Sequence, residues 1–134
     1  MRRVREVIVV EGRYDKNALS HVVEGVIFET RGFGIFRDRE RLSLLRRLTA
    51  ERGAVLLLDS DGAGFVIRGK LKGMLPKEQV KQAYIPDVYG KERRKKAPGK
   101  EGKLGVEGMS PAVLLRALEQ AGVTFEDGEM ALRR

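Results

Sequence analysis

The chain has 134 residues, a formal net charge of +8, no cysteine and one histidine, His21. The length is typical of a single domain, and the lack of cysteine excludes disulfides, thiolate nucleophiles and most structural zinc sites. A bound metal would therefore need oxygen ligands, which favours magnesium, manganese or calcium. Only four continuous apolar residues occur near the N-terminus, so we expect neither a signal peptide nor a membrane span, and a cytoplasmic location.

The first half of the chain alternates between strand and helix patterns. Apolar runs at Val7–Val10 and Ala54–Leu58 predict strands that are buried on both faces. A helix capped by Asp15 is predicted after the first run, then a strand over residues 25–30 and a glycine turn at 31–34. A second helix is predicted over 38–51, with Asp38 as its N-cap and a glycine just past its end.

The second half continues the alternation. We predict a helix over 65–75, a strand over 79–85, and a last helix that begins at Ser110 and Pro111 and closes at 121–122. The chain therefore reads as one α/β domain over residues 1–122, with a mostly parallel sheet of about four strands, and a short tail over 123–134.

The excess positive charge is concentrated in one segment. Residues 91–103 carry seven basic and two acidic side chains, among them Arg93, Arg94, Lys95 and Lys96. Such a cluster attracts polyanions, and nucleic acid is the obvious class. The alternative is that these charges only solvate the surface of a small domain.

Carboxylates follow two of the predicted strands. Glu11 follows the first, and Asp59 and Asp61 follow the strand at 54–58. Ligands of α/β sheets bind at the carboxyl ends of the strands, and carboxylates about 4 Å apart repel by roughly 4 kcal/mol at an effective dielectric of 20. A divalent cation would relieve that repulsion, which predicts metal-assisted phosphoryl chemistry. The alternative is structural: Asp61 caps the next helix and Asp59 makes a turn.

Four ordered pieces of sequence carry a family resemblance. They are "VEGRYDK", the Glu29-Thr30-x-Gly32 segment, "DSDGAGFVIR", and "GVEGMS" before the last helix. Together they resemble the TOPRIM domain of topoisomerases, primases and related nucleases. Within that superfamily they are most similar to the ribonuclease M five family, which matures 5S ribosomal RNA.

The resemblance implies a TOPRIM-like three-layer sandwich of helices around the sheet. It implies that Asp59 and Asp61 hold magnesium, or manganese, and that Glu11 is a general acid/base or metal-adjacent group. Two departures are evident: the family's usual C-terminal domain has no counterpart here, and its "GVEH" reads "GVEG". Glu107 in that segment either joins the acidic site or is simply solvated.

These observations favour a magnesium-dependent nuclease that cleaves structured nucleic acid, with the resemblance favouring RNA over DNA. Arg13, Arg68 and the basic segment would position phosphates. The alternative is a non-catalytic nucleic-acid-binding or assembly module that acts with a protein partner.

Overall fold

The computed structural model describes residues 1–59, 62–85 and 108–126. Six strands are present in these ranges: β1 (Arg2–Arg3), β2 (Val7–Val10), β3 (Val23–Glu24), β4 (Ile27–Glu29), β5 (Ala54–Leu57) and β6 (Val80–Ala83). Four α-helices accompany them: α1 (Arg13–Ser20), α2 (Arg39–Arg52), α3 (Gly62–Met74) and α4 (Pro111–Gln120). Short 3-10 helices cover Gly32–Arg37 and Lys77–Gln79.

The main sheet has four parallel strands in the order β4-β2-β5-β6. Val9 lies opposite Leu56, which fixes the register of the two central strands. The expected parallel sheet of about four strands is confirmed. Strands β1 and β3 form a separate two-stranded parallel pair that the sequence pattern did not indicate, because each has only two residues.

Helices cover both faces of the main sheet, so the three-layer sandwich is also confirmed. Ile8 and Val10 pack into one core with α1 and α4, whereas Val7 and Val9 pack into the other with α2 and α3. All four residues are fully buried. Strand side chains alternate between faces, so a strand covered on both sides needs the unbroken apolar run seen in the sequence.

The helix boundaries follow local capping chemistry. Asp38 accepts a hydrogen bond from the backbone of Arg41, and Ser110 caps α4 through Val113, as predicted. The predicted role of Asp15 as N-cap is wrong, because Gly12 occupies that position and Asp15 accepts its N–H from three residues further on.

Two further predicted boundaries are corrected. Helix α3 begins at Gly62 rather than residue 65, and the glycine turn at 31–34 opens the 3-10 helix Gly32–Arg37. Arg31 and Gly32 have φ values of 59° and 65°, which reverse the chain before that helix. In the part of the chain described, every helix is too short or too polar to cross a lipid bilayer.

The segment 123–126 is docked against the start of the chain. Val4 and Phe125 form an antiparallel bridge, and buried Glu6 accepts hydrogen bonds from the backbone and hydroxyl groups of Thr124. Glu6 also pairs with Lys81, at 2.5 Å between Nζ and Oε2. Burial alone would raise the pKa of Glu6, but the bonds from Lys81 and Thr124 outweigh it and hold the pKa below its ordinary value.

Candidate functional site

The strand order reverses between β2 and β5. The chain passes from β2 through α1 to β4 on one side, and then through α2 to β5 on the other side of β2. In open α/β sheets, the crevice at such a reversal, beyond the carboxyl ends of the strands, is where ligands bind. Glu11 directly follows β2, and Asp59 comes two residues after β5. The structure therefore brings these two predicted site residues to the same crevice.

The backbone of Glu11 is fixed by the segment that leaves β4. The Glu11 carbonyl accepts a hydrogen bond of 2.7 Å from the N–H of Arg31 and one of 3.4 Å from the hydroxyl of Thr30. Thr30 is completely buried. Because α1 begins directly after Gly12, Glu11 is held between a strand end and a helix start, and its carboxylate is partly exposed beside the crevice.

Asp59 is held by close contact with the first turn of α3. A Cβ placed on Gly64 would lie 2.9 Å from the Cβ, the N and the O of Asp59. Carbon atoms in ordinary contact stand about 3.5–4.0 Å apart, so any side chain at position 64 would push the two segments apart. Gly64 therefore sets how closely α3 approaches Asp59.

Arg68 ties together the carboxyl ends of β5 and β6. Its side chain donates hydrogen bonds to the carbonyls of Leu56 (3.3 Å), Leu58 (2.7 Å) and Ala83 (2.9 Å). The residue is only 6% exposed. Phosphate contact by Arg68 stays a prediction, and this burial instead favours a role in holding the strand ends that carry the site.

Arg68 also places a positive charge beside Asp59. Burial lowers the pKa of Arg68, while electrostatic interaction with Tyr84 and Asp59 opposes that shift. A guanidinium remains protonated in proteins, so the group is a fixed cation. Its charge favours the ionised form of Asp59, which is the form that binds a metal ion.

The other predicted residues fall into two groups. Arg13 is exposed in the first turn of α1, 5.8 Å from the ring centroid of Tyr14, and is free of burial at the same edge as Glu11. The remaining predicted residues lie outside the described ranges: Asp61, Arg93, Arg94, Lys95, Lys96 and Glu107.

The donor chemistry fits magnesium. Glu11 and Asp59 offer carboxylate oxygens at adjacent strand ends, and magnesium is commonly held by one or two carboxylates with water and substrate phosphate. Within residues 1–59, 62–85 and 108–126, no group of three or more histidine or acidic side chains is arranged to hold a metal. Asp61 is the expected additional ligand.

Thr30 and Gly64 have site roles that residue chemistry alone did not reveal. Both lie in motifs noted in the sequence, but a buried hydroxyl and a glycine carry no catalytic group. Their contribution is positional and became evident only through contacts with Glu11 and Asp59. The spacing of Gly64 from Asp59, at the start of a helix after a strand, was the available signal.

The fold and site together define a TOPRIM domain. The solved structure of a small TOPRIM domain protein from Bacillus stearothermophilus matches with a TM-score of 0.64 and 27% identity, over 93% of this chain and 95% of that one. No protein-family model matches the chain. The chain is a TOPRIM domain protein.

Its sequence resembles ribonuclease M5 in particular. Ribonuclease M5 of Fusobacterium nucleatum is 32% identical over 126 residues, which is 94% of this chain and 63% of that protein. Ribonuclease M5 of Lactiplantibacillus plantarum is 36% identical over 119 residues, or 88% of this chain and 58% of that protein. The chain thus spans less than two thirds of the length of these relatives.

Proposed function

We propose that this protein cleaves phosphodiester bonds of structured RNA in a magnesium-dependent reaction, with ribosomal RNA precursors as the candidate substrate. The observation that carries the proposal is the position of Glu11 and Asp59 at the ends of adjacent parallel strands, where the strand order reverses. The resemblance to ribonuclease M5 supports RNA as the substrate class. A cytoplasmic location is part of the same proposal.

In this proposal Asp59 and Asp61 hold the metal ion, with Glu11 beside it. Magnesium bound there would polarise a phosphoryl oxygen and offset the charge that develops on it. Arg68 keeps Asp59 ionised by its positive charge, and Gly64 keeps the aspartate backbone in place. Manganese offers the same hard, oxygen-preferring chemistry.

Glu11 has the acid–base role. Its carboxylate takes a proton from the attacking hydroxyl group or gives one to the leaving oxygen, a contribution of about 10²- to 10⁴-fold to the rate. The anchoring of its backbone by Thr30 and Arg31 limits how far this carboxylate can move from the crevice.

Positive charge brings the substrate to the acids. Arg13 lies at the start of α1, beside Glu11, and the segment 91–103 supplies most of the chain's excess positive charge. These groups would contact phosphates without reading base sequence, so RNA affinity should fall steeply as salt concentration rises.

Cleavage of a labelled 5S ribosomal RNA precursor in magnesium tests the proposal. Asp59→Asn should lower the cleavage rate by about 100-fold or more, because it removes a metal-binding charge. The matched control is Asp38→Asn, which removes the same charge at the N-cap of α2, where asparagine caps equally well. The control should cleave at the rate of the original protein.

Cleavage that persists in excess chelator, or in Asp59→Asn, would contradict the metal-dependent mechanism. RNA binding that is salt-dependent and survives chelation but gives no product in magnesium would instead support a non-catalytic module that needs a protein partner.

A further inference from the structure

Exposed aromatic side chains gather at the edge of the sheet that carries the acids. Each of the four parallel strands is followed by one: β2 by Tyr14, β4 by Phe33, β5 by Phe65 and β6 by Tyr84. Their exposed fractions are 51%, 44%, 62% and 61%. In the ranges that the structure describes, no other aromatic side chain is classed as exposed.

Folding alone does not account for this placement. Phe28, on β4, shows where an aromatic ring of this fold is stabilised, since it packs in the core and is 7% exposed. Single exposed apolar residues are ordinary, but a group of them on one functional edge indicates a surface that contacts something else.

Cations accompany the rings. The Arg68 guanidinium lies 4.6 Å from the ring centroid of Tyr84, and Lys70 Nζ lies 4.7 Å from that of Phe36, which itself is 6.4 Å from Phe33. Arg13 stands beside Tyr14. A matching occupant must present flat apolar faces together with negative charge. Nucleotides do both, whereas an apolar protein surface supplies only the first.

We propose that these four aromatic residues form a stacking surface for unpaired RNA bases next to the cleaved bond. This inference rests on the proposed nuclease function and specifies its substrate as RNA with single-stranded nucleotides at the site. Bases inside a duplex are already stacked on their neighbours, so only unpaired ones can offer a free face to a protein ring. The edge of four strands is roughly 14 Å wide, enough for several nucleotides.

Phe65 is the most informative residue to change, because it is the most exposed of the four rings and lies in the same helical turn as Gly64. Phe65→Leu keeps an apolar side chain but removes the flat face. Val66→Ala is the matched control, since Val66 is the next residue, 48% exposed and not aromatic.

The test measures binding in chelator, where no cleavage occurs, to a short RNA hairpin with or without a single-stranded extension. Phe65→Leu should weaken binding to the extended hairpin by about tenfold and leave binding to the blunt hairpin unchanged. The dependence of affinity on salt should stay the same, because no phosphate contact is lost. Val66→Ala should match the original protein on both RNAs.

A fluorescent base analogue in the extension gives a direct readout. The original protein should quench its emission by stacking, and a variant with both Phe33→Leu and Phe65→Leu should not. Equal affinity of Phe65→Leu and the original protein for the extended hairpin, or equal losses on both hairpins, would overturn the proposal. Aromatic-dependent binding without cleavage in magnesium would instead count against the nuclease function alone, so the two failures are distinguishable.

Discussion

The contact between Gly64 and Asp59 makes a quantitative prediction about stability. In Gly64→Ala the new Cβ would lie 2.9 Å from three atoms of Asp59, two of them backbone atoms. Backbone cannot swing aside as a flexible side chain can, so the overpacking should cost about 1–3 kcal/mol. Alanine is better than glycine in a helix by about 0.8–1.0 kcal/mol. The net loss should then be about 0–2 kcal/mol.

Gly69→Ala is the matched control, because Gly69 lies in the same helix and a Cβ there would meet no atom within 4 Å. This variant should gain the full helix term, so the two variants should differ by the overpacking cost. For a chain of this length, 1 kcal/mol corresponds to roughly 3–4 °C in Tm.

Thermal and urea denaturation of both variants measure that difference. Equal stabilisation by Gly64→Ala and Gly69→Ala would refute the close approach of α3 to Asp59. The RNA cleavage rate gives a second readout: it should fall in Gly64→Ala at temperatures where the protein is fully folded, and remain unchanged in Gly69→Ala.

Two other buried charges allow further predictions. Glu6 has a lowered pKa in the folded protein, so its contribution is present above its unfolded pKa and is lost as the pH falls through the folded value. Urea denaturation between pH 6 and pH 3 should therefore show a smaller loss of stability for Glu6→Gln than for the original protein, and parallel losses would contradict the Lys81 pairing. Arg68→Lys should destabilise the fold by about 2–4 kcal/mol, because one ammonium cannot satisfy three separated carbonyls. An unchanged urea midpoint would contradict that account.

The central architecture could be predicted because its signals are local. The apolar runs at Val7–Val10 and Ala54–Leu58 report burial on both faces, and capping residues such as Asp38 and Ser110 mark helix starts. Once two neighbouring strands are parallel, the residues that follow them must reach the same edge of the sheet. The placement of Glu11 and Asp59 therefore followed from sequence pattern.

The remaining features depend on contacts between distant segments. Glu6 reads as an ordinary surface acid, yet it is buried by Thr124 and Lys81, more than 70 positions away. Arg68 likewise reads as a phosphate ligand until β5 and β6 present their carbonyls to it. No local periodicity encodes such partners, so composition and spacing could not indicate them.

Manganese soaked into crystals of the protein is the most direct test of the proposed metal centre, since its anomalous scattering identifies the ion. The account predicts a peak in the crevice between β2 and β5, within about 2.2 Å of carboxylate oxygens of Asp59 and adjacent to Glu11. Manganese that binds elsewhere on the protein while this crevice stays empty would contradict it.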